Sequence, residues 1–199
     1  MNNIAIIGSA GRQDDASRID GELYKKMTLH AEKIVFERNI RQAISGGAAL
    51  SDHVAVSLYL NDKVDFLTLF MPAIFYEGKY VAKKGVEKNT ALTANAHHKG
   101  FHERCGVDGL QEITEAIKKG AKVEFFNAFK RRNLEVAAIA KNVLAFTFGK
   151  APTCVFSRCD RGFSSAKDAG LKNGGTAHTW DQAWKADWKN HVNLSDFES

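Results

Sequence analysis

The chain has 199 residues, 44% hydrophobic and 26% charged, with a net charge of +5, 16 glycines and only 2 prolines. That length favours one folded domain over two, and 13 Phe, 3 Trp and 4 Tyr supply enough apolar surface to exclude disorder. No run of ~18 apolar residues is present, so no transmembrane helix or membrane partner is expected. The mildly basic balance favours an anionic ligand and falls short of a nucleic-acid footprint.

The opening Ile4-Ala5-Ile6-Ile7 is a continuous apolar run, as expected for a strand buried on both faces. It follows Met-Asn-Asn, which has neither a basic nor a long apolar region, so it reads as a first strand and not as a signal peptide. The strand ends at Gly8-Ser9-Ala10-Gly11-Arg12. Residues 21–38 carry Leu23, Met27, Ala31, Ile34 and Val35 at helical spacing. Ala43-Ile44-Ser45 reads as a short strand running into Gly46-Gly47, Asp52 to Leu60 as a second helix, and Val64 to Phe70 as a third strand. This βαβαβ order predicts parallel strands.

The stretch 71–107 breaks the rhythm and reads as an insertion. Ile74 to Val81 suggests a hairpin, and 83–106 is polar and irregular, suited to a lid over a pocket. Asp108, with Gln111 at capping-box spacing, begins a helix that Gly120 stops. Residues 129–141 form another helix and Val143 to Phe148 a second deeply buried strand. After a Gly-, Ser- and Lys-rich loop over about 157–175, with a small hairpin near Cys154, Thr176 to Lys189 reads as the last helix and His191 to Leu194 as the last strand. The expected fold is α/β, a Rossmann-like parallel sheet of about five strands with helices on both faces and an inserted segment, in a single domain over 1–199.

In such sheets ligands sit beyond the C-terminal strand ends, where strand order reverses. Gly8-Ser9-Ala10-Gly11-Arg12, Gly46-Gly47 and Gly174-Gly175-Thr176 all fall at such places. Glycine permits close backbone approach, a helix N-terminus presents free N–H groups, and Arg12 adds a charge-assisted contact. Together they point to a phosphate-bearing ligand, with the five glycines 8, 46, 47, 174 and 175 converging on one sheet edge.

The segment SGGAALSDHVAVSLYL resembles the SGGA-x-G-x-D-x-x-A segment of the SLOG superfamily, in its DprA and YspA-like branch. KRRNLEVAAIAKNVLAFTFG is similar to that branch's RN-x-x-(I/M)-A helix and following strand, and NGGTAHTWDQA to its GGT-x-x-T-x-x-x-A helix start. The motifs occur in the family's order. The resemblance implies a Rossmann-like domain that binds nucleotides or nucleotide derivatives as a sensor or carrier. It implies Asp52 near the ribose or base side and Arg132-Asn133 near the phosphate. Physically a carboxylate accepts from sugar hydroxyls and an arginine grips phosphate, and a pocket arginine is expected to contribute little to folding. The alternatives are that Asp52 caps its helix and that Arg131 and Arg132 are solvated.

Two other functions stay open. Related Lonely Guy phosphoribohydrolases split the N-glycosidic bond of nucleoside monophosphates with a Glu three residues after the Thr of PGG-x-GT-x-x-E. With Gly175-Thr176 on that Gly-Thr, the Glu position falls on Thr179; a shifted register puts Asp181 there, with His178 in place of the Thr. Asp181, Asp52 and Glu103 are therefore the acid/base candidates for a hydrolase. The third reading is a single-stranded DNA module, for which Trp180, Trp184 and Trp188 at i, i+4 and i+8 offer a stacking stripe, although a docked core or subunit-interface face suits them better.

His98, His102 and Cys105 would share one face of a helix, but Gly100 and Gly106 argue against a helix there and no fourth ligand is evident, so no metal is expected. No cofactor is expected either. Cys154 and Cys159 receive no role, and three scattered cysteines without an export signal point to a reducing cytoplasm. A homo-oligomer is expected.

Overall fold

The computed structural model describes residues 1–11, 13–82, 88–126, 128–149, 151–157, 165–171 and 174–198. In chain order its elements are β1 (Asn3–Gly8), α1 (Gly21–Glu37), β2 (Gln42–Ser45), α2 (Val54–Leu60), β3 (Phe66–Met71), β4 (Ile74–Tyr76), β5 (Lys79–Val81), α3 (Lys88–Cys105), α4 (Gly109–Lys119), β6 (Lys122–Phe125), α5 (Phe129–Ile139), β7 (Asn142–Thr147), β8 (Cys154–Ser157), α6 (Gly175–Gln182) and β9 (Trp188–Asn193). Short 3₁₀ turns cover Gln13–Arg18 and Leu194–Phe197.

Seven strands form one sheet in the order β6-β3-β2-β1-β7-β9-β8, parallel except for β8, which runs antiparallel to β9 at one edge. β4 and β5 make a separate antiparallel hairpin. The fold is a Rossmann-like α/β sheet. Alternation within β1 explains why helices cover both faces: Ile4 and Ile6 join the core under α1, α2, α3 and α4, while Ala5 and Ile7 join the core under α5 and α6. The second core is built largely from alanines, among them Ala137, Ala140, Ala145, Ala177 and Ala183, so these helices sit close to the sheet around the fully buried Trp180.

Two edge strands exceed the five expected. Lys122–Phe125 is a four-residue edge strand on β3, and Cys154–Ser157, expected in a small local hairpin, instead pairs antiparallel with the distant β9. The segment expected to be irregular contains an 18-residue helix, α3. Gly100 lies inside it because the Arg104 guanidinium crosses that position, 3.0 Å from where a Cβ would stand. The last helix is shorter than its tryptophan spacing suggests. It ends at Gln182, and Trp188 belongs to β9, where every residue from Trp188 to Asn193 pairs with β7. Cross-strand pairing outweighs helical periodicity here. Trp180 is therefore buried in α6, Trp184 is 63% exposed, and Trp188 is buried in the sheet, so the three form no stripe. No helix among the described residues is long and apolar enough to cross a membrane.

β1 pairs with β2 on one side and β7 on the other, and the chain reverses direction across the sheet at that seam. The crevice beyond the C-terminal ends of β1 and β7 is the position where α/β sheets of this kind hold ligands.

Candidate functional site

A cleft of about 650 Å³ opens at this seam. Its walls come from the strand ends (Gly8, Ser9, Gly47, Thr147), from α5 (Phe129, Lys130, Arg132, Asn133) and from the start of α6 (Gly174, Gly175, Thr176, Thr179). Asp52 also lines it. The structure thus brings together most of the residues expected from sequence. Arg12 lies outside the described residues, and so does Cys159.

The seam is tight at β1. Gly8 has φ +159, and a Cβ on it would fall 2.1 Å from the Phe146 carbonyl oxygen and 2.6 Å from Ser51 Oγ. Ser9 continues the ladder by donating its N–H to Phe146 O at 2.9 Å, and its Oγ accepts the Gly11 N–H at 3.1 Å. Thr176 Oγ1 donates to Gly8 O at 2.8 Å, which ties the first turn of α6 to the end of β1. Asn133 Nδ2 donates to Gly175 O at 3.2 Å and ties α5 to the same turn. Thr179 Oγ1 donates back to Gly175 O at 2.9 Å.

Neither α5 nor α6 has a side-chain cap; their N-cap residues are Ala128 and Gly174. The early N–H groups of both helices therefore open where Phe129, Lys130, Gly174, Gly175 and Thr176 line the cleft. The cleft is also lined by carboxylates that sequence reasoning passed over, Asp14 and Asp15, which follow the first glycine loop by one residue. The cleft lining thus holds both donors with positive charge and acceptors.

Arg132 and Asp52 form a buried ion pair, Nη1 to Oδ2 at 2.8 Å, with side chains only 8% and 9% exposed. This differs from a solvated arginine and from a helix-capping Asp52; His53, not Asp52, precedes α2, and the cap makes no side-chain bond. The guanidinium lies over Gly46, where a Cβ would sit 1.1 Å from Nη1. Gly46 is thus the floor beneath the pair, not a lining residue. Among the described residues Asp52 takes one Nη1 hydrogen and Nε is buried without a partner, so Nη2 and the second Nη1 hydrogen are the donors left for a cleft ligand. The pairing also makes Arg132 a structural residue, contrary to its expected indifference to folding.

Of the three candidate acid/base residues, Asp52 lines the cleft, engaged by Arg132, and the other two are elsewhere. Asp181 Oδ1 accepts the Ala166 N–H at 2.7 Å, and Glu103 sits on the exposed side of α3 with Lys99 at 3.7 Å; neither lines the cleft. Among the described residues no group of three or more His, Cys, Asp or Glu side chains is arranged to hold a metal. α3 contributes Ala94 and His97 to the cleft wall, while His98 points into the protein.

Burial lowers the His30 and His191 pKa values and pushes that of His98 down to about 3. The unfolded chain holds protons on these rings below the ordinary histidine value of ~6.5, and the folded state does not. Their contribution to stability is intact above pH ~6.5 and is lost as pH falls toward the folded-state values. Urea midpoints should therefore drop between pH 6.5 and 5, with His98 alone adding a slope of up to ~1.4 kcal/mol per pH unit. A His98→Gln variant should show a flatter profile; an equally steep one would contradict the assignment.

No protein-family model matches the chain. By sequence the chain is similar to "Uncharacterized protein R261" of Acanthamoeba polyphaga mimivirus, 29% identical over 199 residues in an alignment covering 96% of each chain.

Proposed function

We propose that this chain binds a nucleotide or nucleotide derivative in the switch-point cleft, as a ligand sensor or carrier of the SLOG type. The observation that carries the reading is that one cleft combines two chemistries. Two helix N-termini without side-chain caps, Lys130 and Arg132 Nη2 supply donors for a phosphate, and Asp14, Asp15 and Asp52 supply acceptors for sugar hydroxyls. Glycine at positions 8 and 175 lets such a ligand approach the backbone. Cys105 and Cys154 are free thiols, which fits a reducing compartment such as the cytoplasm.

Calorimetry against nucleoside mono- and diphosphates, cyclic nucleotides and dinucleotides tests the reading. At least one should bind, with the corresponding nucleoside binding more weakly. Lys130→Ala should weaken that affinity by ~1.5 kcal/mol, the scale of one hydrogen bond to a charged group, and leave the urea midpoint unchanged because Lys130 is exposed. A chain that binds no member of the panel refutes the proposal.

Binding fits this cleft better than glycosidic hydrolysis. General acid–base chemistry needs a carboxylate within ~2.6–3.2 Å of the proton it moves, directly or through one water. The position three residues after Thr176 is Thr179, whose hydroxyl is engaged with Gly175 O; Asp181 is committed to the Ala166 N–H, and of the cleft carboxylates Asp52 is engaged by Arg132 and Asp15 by the Ser9 hydroxyl. Chromatography should find no free base released from nucleoside monophosphates; release abolished by Asp181→Asn would reverse the preference.

A further inference from the structure

The loop after β2 is held from behind by the inserted segment. Two side chains converge on one oxygen: Tyr80 Oη donates to Gly47 O at 2.5 Å, and His98 Nε2 lies 3.1 Å from the same atom. Both side chains are buried, and their rings stack with centroids 5.9 Å apart. Tyr80 is itself clamped. Asn95 on α3 accepts the Tyr80 N–H at 2.9 Å and donates to the Tyr80 carbonyl at 2.8 Å, satisfying both backbone groups as a neighbouring strand would. Gly47 has φ +66, and a Cβ there would stand 2.8 Å from Tyr80 Oη, so the close approach also requires glycine.

Proton positions follow from the partners. A carbonyl oxygen only accepts, so the neutral His98 ring carries its proton on Nε2, in keeping with the buried Nδ1, which has no partner among the described residues. Burial keeps the Tyr80 phenol protonated, and with it a donor. Both lone pairs of Gly47 O are thereby occupied. In a trans peptide the C=O and the following N–H point in opposite directions. Drawing the Gly47 carbonyl into the protein turns the Ala48 N–H outward, toward the cleft that Gly47, Ala48 and Ala49 line. Among the described residues the Ala48 N–H has no hydrogen-bond partner.

We infer that Tyr80 and His98 are positioning residues that aim the Ala48 N–H at the anionic group of a bound nucleotide, so the inserted segment is part of the binding apparatus. The inference rests on the nucleotide reading above. It adds that phosphate affinity depends on two side chains that never touch the ligand. Hydrogen bonds to the carbonyl also polarise the peptide, which strengthens the N–H as a donor.

The test compares adenosine 5′-monophosphate with adenosine, because only the first carries the anion. Tyr80→Phe and His98→Leu should each weaken the monophosphate by about 5-fold and together by about 30-fold, the scale of losing alignment of one charge-assisted bond. Adenosine affinity should stay within about twofold. His98→Gln, whose amide nitrogen can take the place of Nε2, should return affinity close to wild type. In the ligand-free protein the Ala48 amide should exchange with solvent without protection, and its proton resonance should move downfield on adding the monophosphate. Loss of both ligands in parallel, no loss in the double variant, failure of His98→Gln to rescue, or a protected Ala48 amide would each overturn the inference. A wild-type chain that binds neither probe nor any nucleotide of the wider panel overturns the nucleotide reading itself, and this inference with it.

Discussion

Gly46→Ala is expected to remove about 3 kcal/mol of folding stability and to abolish nucleotide binding. The added methyl would lie 1.1 Å from Arg132 Nη1 and 2.7 Å from Asp52 Oδ2, so the guanidinium must leave its seat. Breaking a buried pair by removing one partner costs ~3–5 kcal/mol; the lower end applies because the displaced guanidinium can swing into the cleft and be hydrated there. For a chain of this length that is a fall of about 6–12 °C in the thermal midpoint, since ~1 kcal/mol moves it by ~2–4 °C. Binding fails for a separate reason, because the displaced side chain fills the space between the glycine loops. A variant with an unchanged midpoint would show that Arg132 does not occupy this position in solution.

Arg132→Ala should be at least as damaging, at about 3–5 kcal/mol in urea unfolding, since it leaves the Asp52 carboxylate buried and without its cation. Asp52→Asn leaves the guanidinium in the same position, but with a neutral acceptor beside it, and should cost less. The informative variant is the double replacement, Arg132→Met with Asp52→Asn. With both charges gone the desolvation penalty goes too, and stability should return to within about 1–2 kcal/mol of wild type. Additive losses in the double variant would mean that the two side chains do not interact. For the same reason, a loss of ligand affinity in Arg132→Ala is interpretable only beside its unfolding curve.

Much of this could be read in the residues, and the exceptions have physical causes. β1 and β7 are legible because a strand buried on both faces needs an unbroken apolar run, and Ile4-Ala5-Ile6-Ile7 and Val143 to Phe146 are such runs. β6 is not, because an edge strand of Lys122-Val123-Glu124-Phe125 carries charge and only four residues. α3 hides because it buries polar side chains, Thr90 and His98 among them, and so lacks a clean apolar stripe. The extent of α6 is misjudged because helical spacing continues past the point where pairing with β7 takes over. In the cleft, glycines at strand ends and at a helix start announce themselves, as at Gly8 and Gly47 and at Gly174 and Gly175. The bond between Arg132 and Asp52 does not, since the partners lie 80 residues apart and each is read by itself as a contact to a ligand. Tyr80 and His98 are hidden more deeply, because they act on a backbone carbonyl and sequence gives no sign of that.

The central position of β1 also decides when the cleft can come into existence. β1, β2, β3 and β6 can pair one after another as the chain emerges, each closing a modest loop. The β1–β7 seam cannot, because it joins residues such as Asn3 and Asn142, separated by 139 positions, whose contact includes the bond from Asn142 Nδ2 to Asn3 O at 2.7 Å. Closing so long a loop is entropically late and slow. Until it closes, Gly8 has no Phe146 beside it and α6 has nothing to dock on. The crevice at this seam is therefore expected to be among the last features of the protein to be assembled and, by the same connectivity, among the first to be lost when the sheet opens along its middle.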